Sequence, residues 1–224
     1  MPLLNVRGDN YPDTGGYGEL LLFLILSIFY QVPKFVTKAR LRSTTREQIK
    51  GFDCAHFSIH GDEVTLWLGE AKFHQSIDGA ISKALKSLND HLNDTDKIKS
   101  ELKLLGGEIE INKTLDPETF ELLKGYVNGG KSLNKVNIAV PVLCTYDSDC
   151  IKSFSNVSDA DIDSDEFKNK IKAELEANFN KIYKRKWPTK KNIKLVFFMV
   201  PPQYSYSKAI FFSEVAVHVP GKFA

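Results

Sequence analysis

Cysteine is scarce in this chain, and its scarcity excludes two kinds of site. Cys54, Cys144 and Cys150 are the only three, too few and too irregularly spaced for a disulfide framework or a zinc set. They read as reduced thiols in a cytoplasmic protein. Long apolar runs are missing as well. The most apolar stretch, Leu20 to Tyr30, is eleven residues long, whereas a membrane-spanning helix takes roughly 20. Asp9, Asp13 and Glu19 stand before it with only Arg7 for positive charge, which is not the charge pattern of a signal peptide. Charge of one sign is not in excess either. Lys and Arg number 30 against 28 Asp and Glu, for a net charge of +2. That balance neither demands nor forbids a nucleic-acid partner, because a basic groove does not need a basic total. There is no low-complexity tract and no repeat period. The 224 residues, 42% of them hydrophobic, fit a single domain with a substantial core.

What is present alternates between helical and strand-like patterns. Asp13 to Glu19 opens a first helix, with Asp13 or Thr14 able to cap it. Its continuation is apolar on all sides, which predicts burial on most of them, and Pro33 ends it. Phe35 to Leu41 alternates as a first strand. Phe52–Ile59 and Val64–Phe73 then form a hairpin about His60-Gly61-Asp62-Glu63, since Gly-Asp is a favoured two-residue turn. From Gln75 to Leu92 the apolar residues Ile77, Ala80, Ile81, Ala84, Leu85, Leu88 and Leu92 follow helical spacing. The stretch from about 93 to 135 reads as an insertion with short helical pieces near Ile98–Leu105 and Pro117–Leu123. Val136 to Tyr146 is a buried strand, in which Pro141 favours an edge or a bulge. A helix from about Asp163 to Lys186 and a strand from Ile193 to Val200 follow. Ser207 to His218 fits a helix or a strand equally. This order describes an α/β sheet with a hairpin at its centre and helices on its faces.

The hairpin carries the chemistry. Residues two apart on a strand share a face, so Glu70 and Lys72 point the same way, roughly 7 Å apart. With Gly61-Asp62 as the turn, Ile59 faces Val64, Phe57 faces Leu66, Ala55 faces Leu68, and Asp53 faces Glu70. Three apolar pairs thus lead into two opposed carboxylates. Directly opposed residues have Cβ atoms about 5 Å apart, where like charges destabilise. The pairing makes sense if a divalent cation lies between them. Mg²⁺ takes carboxylate oxygens and keeps several waters, and can activate water for phosphodiester cleavage. Lys72 can orient that water or neutralise charge growing on the phosphate. The bland alternative is a surface Glu70–Lys72 ion pair of little consequence.

Gly51-Phe52-Asp53 and Leu66-Trp67-Leu68-Gly69-Glu70-Ala71-Lys72-Phe73 resemble the PD-(D/E)xK nuclease superfamily. More narrowly the chain is similar to the HamA family, the nuclease subunit of the Hachiman anti-phage defence system. The resemblance runs from about Gly15 to Leu92 and includes Gly18-Glu19-Leu20-Leu21. It implies a restriction-endonuclease-like core of about 15–92 plus 136–146: a mixed sheet with a central β-hairpin and helices on both faces. The insertion at 93–135 and a C-terminal helix-strand extension at 147–224 complete one nuclease-like domain. It also implies a DNA substrate, Mg²⁺ with Mn²⁺ able to stand in, and a helicase partner. Glu19 is the matching position for an acid on the first helix that joins the metal site. The Pro of the superfamily's Pro-Asp is replaced by Phe52. A longer N-terminal region that relatives carry would be absent.

Around this core, Gln75, Lys83 and Lys86 are candidates for contact with the nucleic-acid backbone, although Lys83 and Lys86 equally fit a solvated helix face. His56 falls on the face opposite Glu70 and reads as a packed histidine, while His74 is left open. Gly125 to Ser132 matches the phosphate-loop pattern G-x-x-x-x-G-K-[ST], but a helix precedes it where the mechanism needs a strand. Asp159 to Asp163 opens like a calcium loop, yet Ser164 replaces the required Gly. It reads as a helix start with Asp163 or Ser164 as cap. The basic run Lys181, Lys184, Arg185, Lys186, Lys190 and Lys191 fits nucleic-acid contact or an ordinary helix C-terminus. The competing functional readings are a non-catalytic scaffold that binds a helicase or nucleic acid, and an ATPase built on Gly125–Ser132.

Overall fold

The central hairpin forms in the register that its turn dictates. In the computed structural model His60 pairs with Glu63, Ile59 with Val64, Phe57 with Leu66 and Ala55 with Leu68. The structure describes residues 15–30, 36–37, 52–60, 63–93, 117–127, 137–154, 164–188, 193–201 and 217–219. Gly61 and Asp62, the helical piece expected near Ile98–Leu105, and the caps expected at Asp13 or Thr14 lie outside them.

In chain order the elements are α1 (Gly15–Phe29), β1 (Val36–Thr37), β2 (Cys54–His60), β3 (Glu63–Lys72), α2 (Ile77–Leu92), α3 (Pro117–Val127), β4 (Asn137–Thr145), α4 (Asp149–Ser153), α5 (Asp165–Tyr183), β5 (Ile193–Val200) and β6 (Val217–Val219). The strands make one mixed sheet in sequential order. β2 and β3 are antiparallel, β3, β4 and β5 are parallel, and β1 and β6 are short antiparallel edges. Of the tail expected at Ser207–His218, only Val217 onward is described, and it is a strand. The α/β architecture, the central hairpin and the helices on both faces are as expected, consistent with a restriction-endonuclease-like core.

Crossovers of one hand between sequential parallel strands place their helices on the same face. α2 and α5 both lie there. Ile77, Ala80, Ile81, Ala84, Leu88 and Leu92 of α2 and Leu175, Phe179 and Ile182 of α5 share one core with Leu66, Leu68, Val140, Val142 and Phe197. Ser76 caps α2, its hydroxyl accepting from Gly79 N at 3.2 Å. Ser164 caps α5 in the same way through Phe167 N at 3.2 Å. β5 and α5 are built into the sheet and its main core.

α1 covers the other face. Leu22, Ile25 and Leu26 pack on Cys54, Trp67, Ala139 and Leu143. One expectation is qualified here and another corrected. α1 is covered around much of its circumference, but Leu20, Leu24 and Ile28, one row at every fourth residue, are exposed together with Phe29. Pro141, in turn, marks neither an edge nor a bulge, because β4 is an interior strand between β3 and β5. Its register to β3 runs to Trp67↔Ala139 and resumes at Glu70↔Val142 with the same offset. The missing N–H of proline therefore interrupts the ladder on one side without shifting it. Among the described residues, no helix is long and apolar enough to cross a membrane.

Candidate functional site

Asp53 lies one residue before β2, and its backbone N donates to Gly69 O at 2.8 Å. The register ends at Cys54↔Gly69, and Asp53 bonds to that same Gly69, so the expected pairing of Asp53 with Glu70 stops one step short. The Asp53 carboxylate accepts from Ala71 N at 2.8 Å, between Glu70 and Lys72. Glu70 is buried, and its Oε1 accepts from the Lys72 ammonium and from Ser87 Oγ, the latter at 2.7 Å. Its Oε2 is buried without a hydrogen-bond partner among the described residues. Burial pushes the Glu70 carboxyl above the usual carboxylate range, and the charge of Asp53 pushes it further. Lys72 and Ser87 oppose that shift without cancelling it. The structure thus brings Asp53, Glu70 and Lys72 together.

Glu19 approaches from the opposite face. It is buried on α1, in the turn whose Gly18 lies against Ala71 and Phe73. Burial raises the Cys54 thiol far above its ordinary range, and the charges of Asp53, Glu19 and Glu70 add to it. The charges of three carboxylates thus bear on one buried thiol. On the neighbouring strand Cys144 pairs with Lys72. Burial pushes its thiol up to about 12, with Lys72 pulling against that rise.

Of the other candidates, Gln75, Lys83 and Lys86 are exposed on or just before α2. His56 is fully buried and stacks on Phe23 of α1 at 5.9 Å, a packed histidine on the far face. His74 has a structural role. Its Nδ1 accepts from Ser76 N at 3.1 Å, and its ring lies where a side chain on Gly79 would stand. In the basic run Trp187 is buried, its indole donating to Ile182 O, while Lys181 and Arg185 reach Asp78 at 2.9 and 4.0 Å. Gly125 to Val127 end a helix, with 128–132 outside the described residues, so no strand leads into that phosphate-loop pattern.

Two polar contacts of Glu70 escaped the sequence reading. Ser87 and His91 lie one turn apart on α2, and His91 Nδ1 stands 3.8 Å from Glu70 Oε2. Their signal was available: the row Ala80, Ala84, Ser87, His91 turns from apolar to polar halfway along the helix.

The residues fit a hard divalent cation. The Asp53 carboxylate is held on the backbone N next to Glu70, and among the described residues the buried Glu70 Oε2 has no donor. Among the described residues no three His, Cys, Asp or Glu side chains gather as a metal set, but Mg²⁺ is commonly held by one or two carboxylates with waters and substrate phosphates. A family model described as HamA matches residues 3–203. No curated protein and no solved structure matches.

Proposed function

The chain belongs to the HamA family of anti-phage defence proteins, and from that premise we propose that it is a PD-(D/E)xK-type nuclease that hydrolyses phosphodiester bonds in DNA. The observation that carries the reading is the Asp53 carboxylate held on Ala71 N, between Glu70 and Lys72, with the Lys72 ammonium on Glu70. Asp53 and Glu70 would hold Mg²⁺ or Mn²⁺. When bound, the ion supplies Lewis acidity toward the phosphate and the attacking water. Lys72 keeps an ammonium at the same place, where it orients the water or neutralises charge growing on the phosphate. Glu19, buried behind the site, completes its acidic end. Gln75, Lys83 and Lys86 offer exposed donors to the nucleic-acid backbone, and a helicase subunit is the expected partner.

Cleavage of plasmid and linear DNA with Mg²⁺, Mn²⁺ or EDTA tests this, comparing wild type with Lys72→Ala and Lys131→Ala. Metal-dependent cutting lost only in Lys72→Ala is the expected result. Cutting lost in Lys131→Ala instead would replace it with the nucleotide-loop reading. A second reading, a non-catalytic scaffold for a helicase or nucleic acid, is favoured by one observation: Lys72 already forms an ion pair with Glu70. Absence of Mg²⁺ and Mn²⁺ binding in a titration would decide for the scaffold.

A further inference from the structure

Glu70 is held from a direction that its own strand does not supply. Ser87 of α2 donates to Oε1 at 2.7 Å. One turn on, His91 Nδ1 lies 3.8 Å from Oε2, longer than a hydrogen bond. The His91 ring also packs on Phe52, the residue before Asp53, with centroids 4.9 Å apart. A single helix row therefore touches Glu70 through two side chains and reaches the neighbour of Asp53 through one of them.

The two oxygens of Glu70 are treated unequally. Oε1 takes both donors, from Lys72 and Ser87, while Oε2 is buried with none among the described residues. A purely structural acid would have its donors spread over both oxygens, because a buried acceptor left open is costly. Loading every donor on Oε1 fixes the carboxyl rotation and leaves the Oε2 lone pairs available. Ala80 and Ala84, earlier in the row, are fully buried. The change to Ser and His falls where the row meets the carboxyl.

We propose that Ser87 and His91 are positioning residues for the divalent cation, Ser87 fixing Glu70 Oε1 so that Oε2 remains open to the ion, and His91 bracing Oε2 and Phe52. This rests on the metal-site reading above. Groups that orient a ligand from behind govern affinity as well as activity, by about 10- to 100-fold.

The test is Mn²⁺ titration of the full chain by calorimetry, with melting temperature measured in EDTA. Ser87→Ala is expected to weaken Mn²⁺ by about 10- to 100-fold, with Ser87→Thr restoring it to within about threefold. His91→Phe, which keeps the ring on Phe52 and removes the nitrogen, is expected to weaken it by a smaller factor, while melting in EDTA stays close to wild type for all three. Wild-type affinity in both Ser87→Ala and His91→Phe overturns the brace and leaves the metal site standing. Weakening that Ser87→Thr does not restore, together with unchanged affinity in His91→Phe, also overturns it. No Mn²⁺ binding by wild type overturns the brace and the metal site together.

Discussion

On its α1 side β3 presents Trp67, Gly69 and Ala71, with Phe73 just past its end; on its α2 side it presents Leu66, Leu68, Glu70 and Lys72. One strand serves two purposes because its side chains alternate. The α1 face is small where the α2 face is charged. Gly69 and Ala71 let α1 come close directly behind Glu70 and Lys72, so the backbone that carries the ionisable pair is pinned by packing from the other side. Chemistry on one face depends on closeness on the other.

The sharpest way to break that dependence is Gly69→Ala. A Cβ at Gly69 would stand 2.3 Å from Cys54 Sγ and 2.7 Å from Leu22 Cδ2. The buried side chains of Cys54 and Leu22 must give way to admit it. Overpacking of this kind costs about 1–3 kcal/mol. The melting temperature should fall by roughly 2–4 °C for each kcal/mol lost. Cleavage should fall too, because Gly69 O holds Asp53 N in the hairpin. A variant with unaltered melting and cleavage would mean that the two faces are independent.

A smaller effect of opposite sign is expected on the other face. Burial and Asp53 raise the Glu70 carboxyl above its usual value, so its charge opposes folding at neutral pH. Glu70→Gln should abolish cleavage yet raise stability by about 0.2–1 kcal/mol. The sign fixes the pH profile. The folded value lies above the unfolded one, near 4.5, so the contribution of Glu70 is fullest below that pH and declines as pH rises through the folded value. The advantage of Gln should therefore open with rising pH and close in acid, as thermal melts from pH 4 to 8 would show. A Gln variant less stable than wild type throughout would make the ion pair with Lys72 the stronger influence.

The hairpin was legible because a two-residue turn and a period of two leave one register, which holds as far as Cys54↔Gly69 and fails one step before the expected pairing of Asp53 with Glu70. The buried side of α2 was legible from its apolar spacing. What escaped had a physical reason in each instance. Ser87 and His91 are polar residues bordering an apolar stripe, and only the angle at which α2 crosses β3 brings them to Glu70. Pro141 carries the usual edge-strand signal, but a lost N–H need not move a strand whose register is held on both sides by its neighbours. The phase of α1 could not be read because a helix apolar all round contains no record of which side meets the sheet.

That phase supports the smallest prediction. Ile28 is 65% exposed on the row shared with Leu20 and Leu24, while Leu22 and Leu26 on the inner side are fully buried. Ser and Ile differ little in helix propensity, and an exposed substitution away from special features stays within about 0.5 kcal/mol. Ile28→Ser should therefore leave the melting temperature within roughly 2 °C of wild type. A much larger loss would mean that the outer row is covered in the folded protein. In that event α1 would be held from both sides, and the close contact at Gly69 would owe as much to pressure from outside as to the missing side chain beneath.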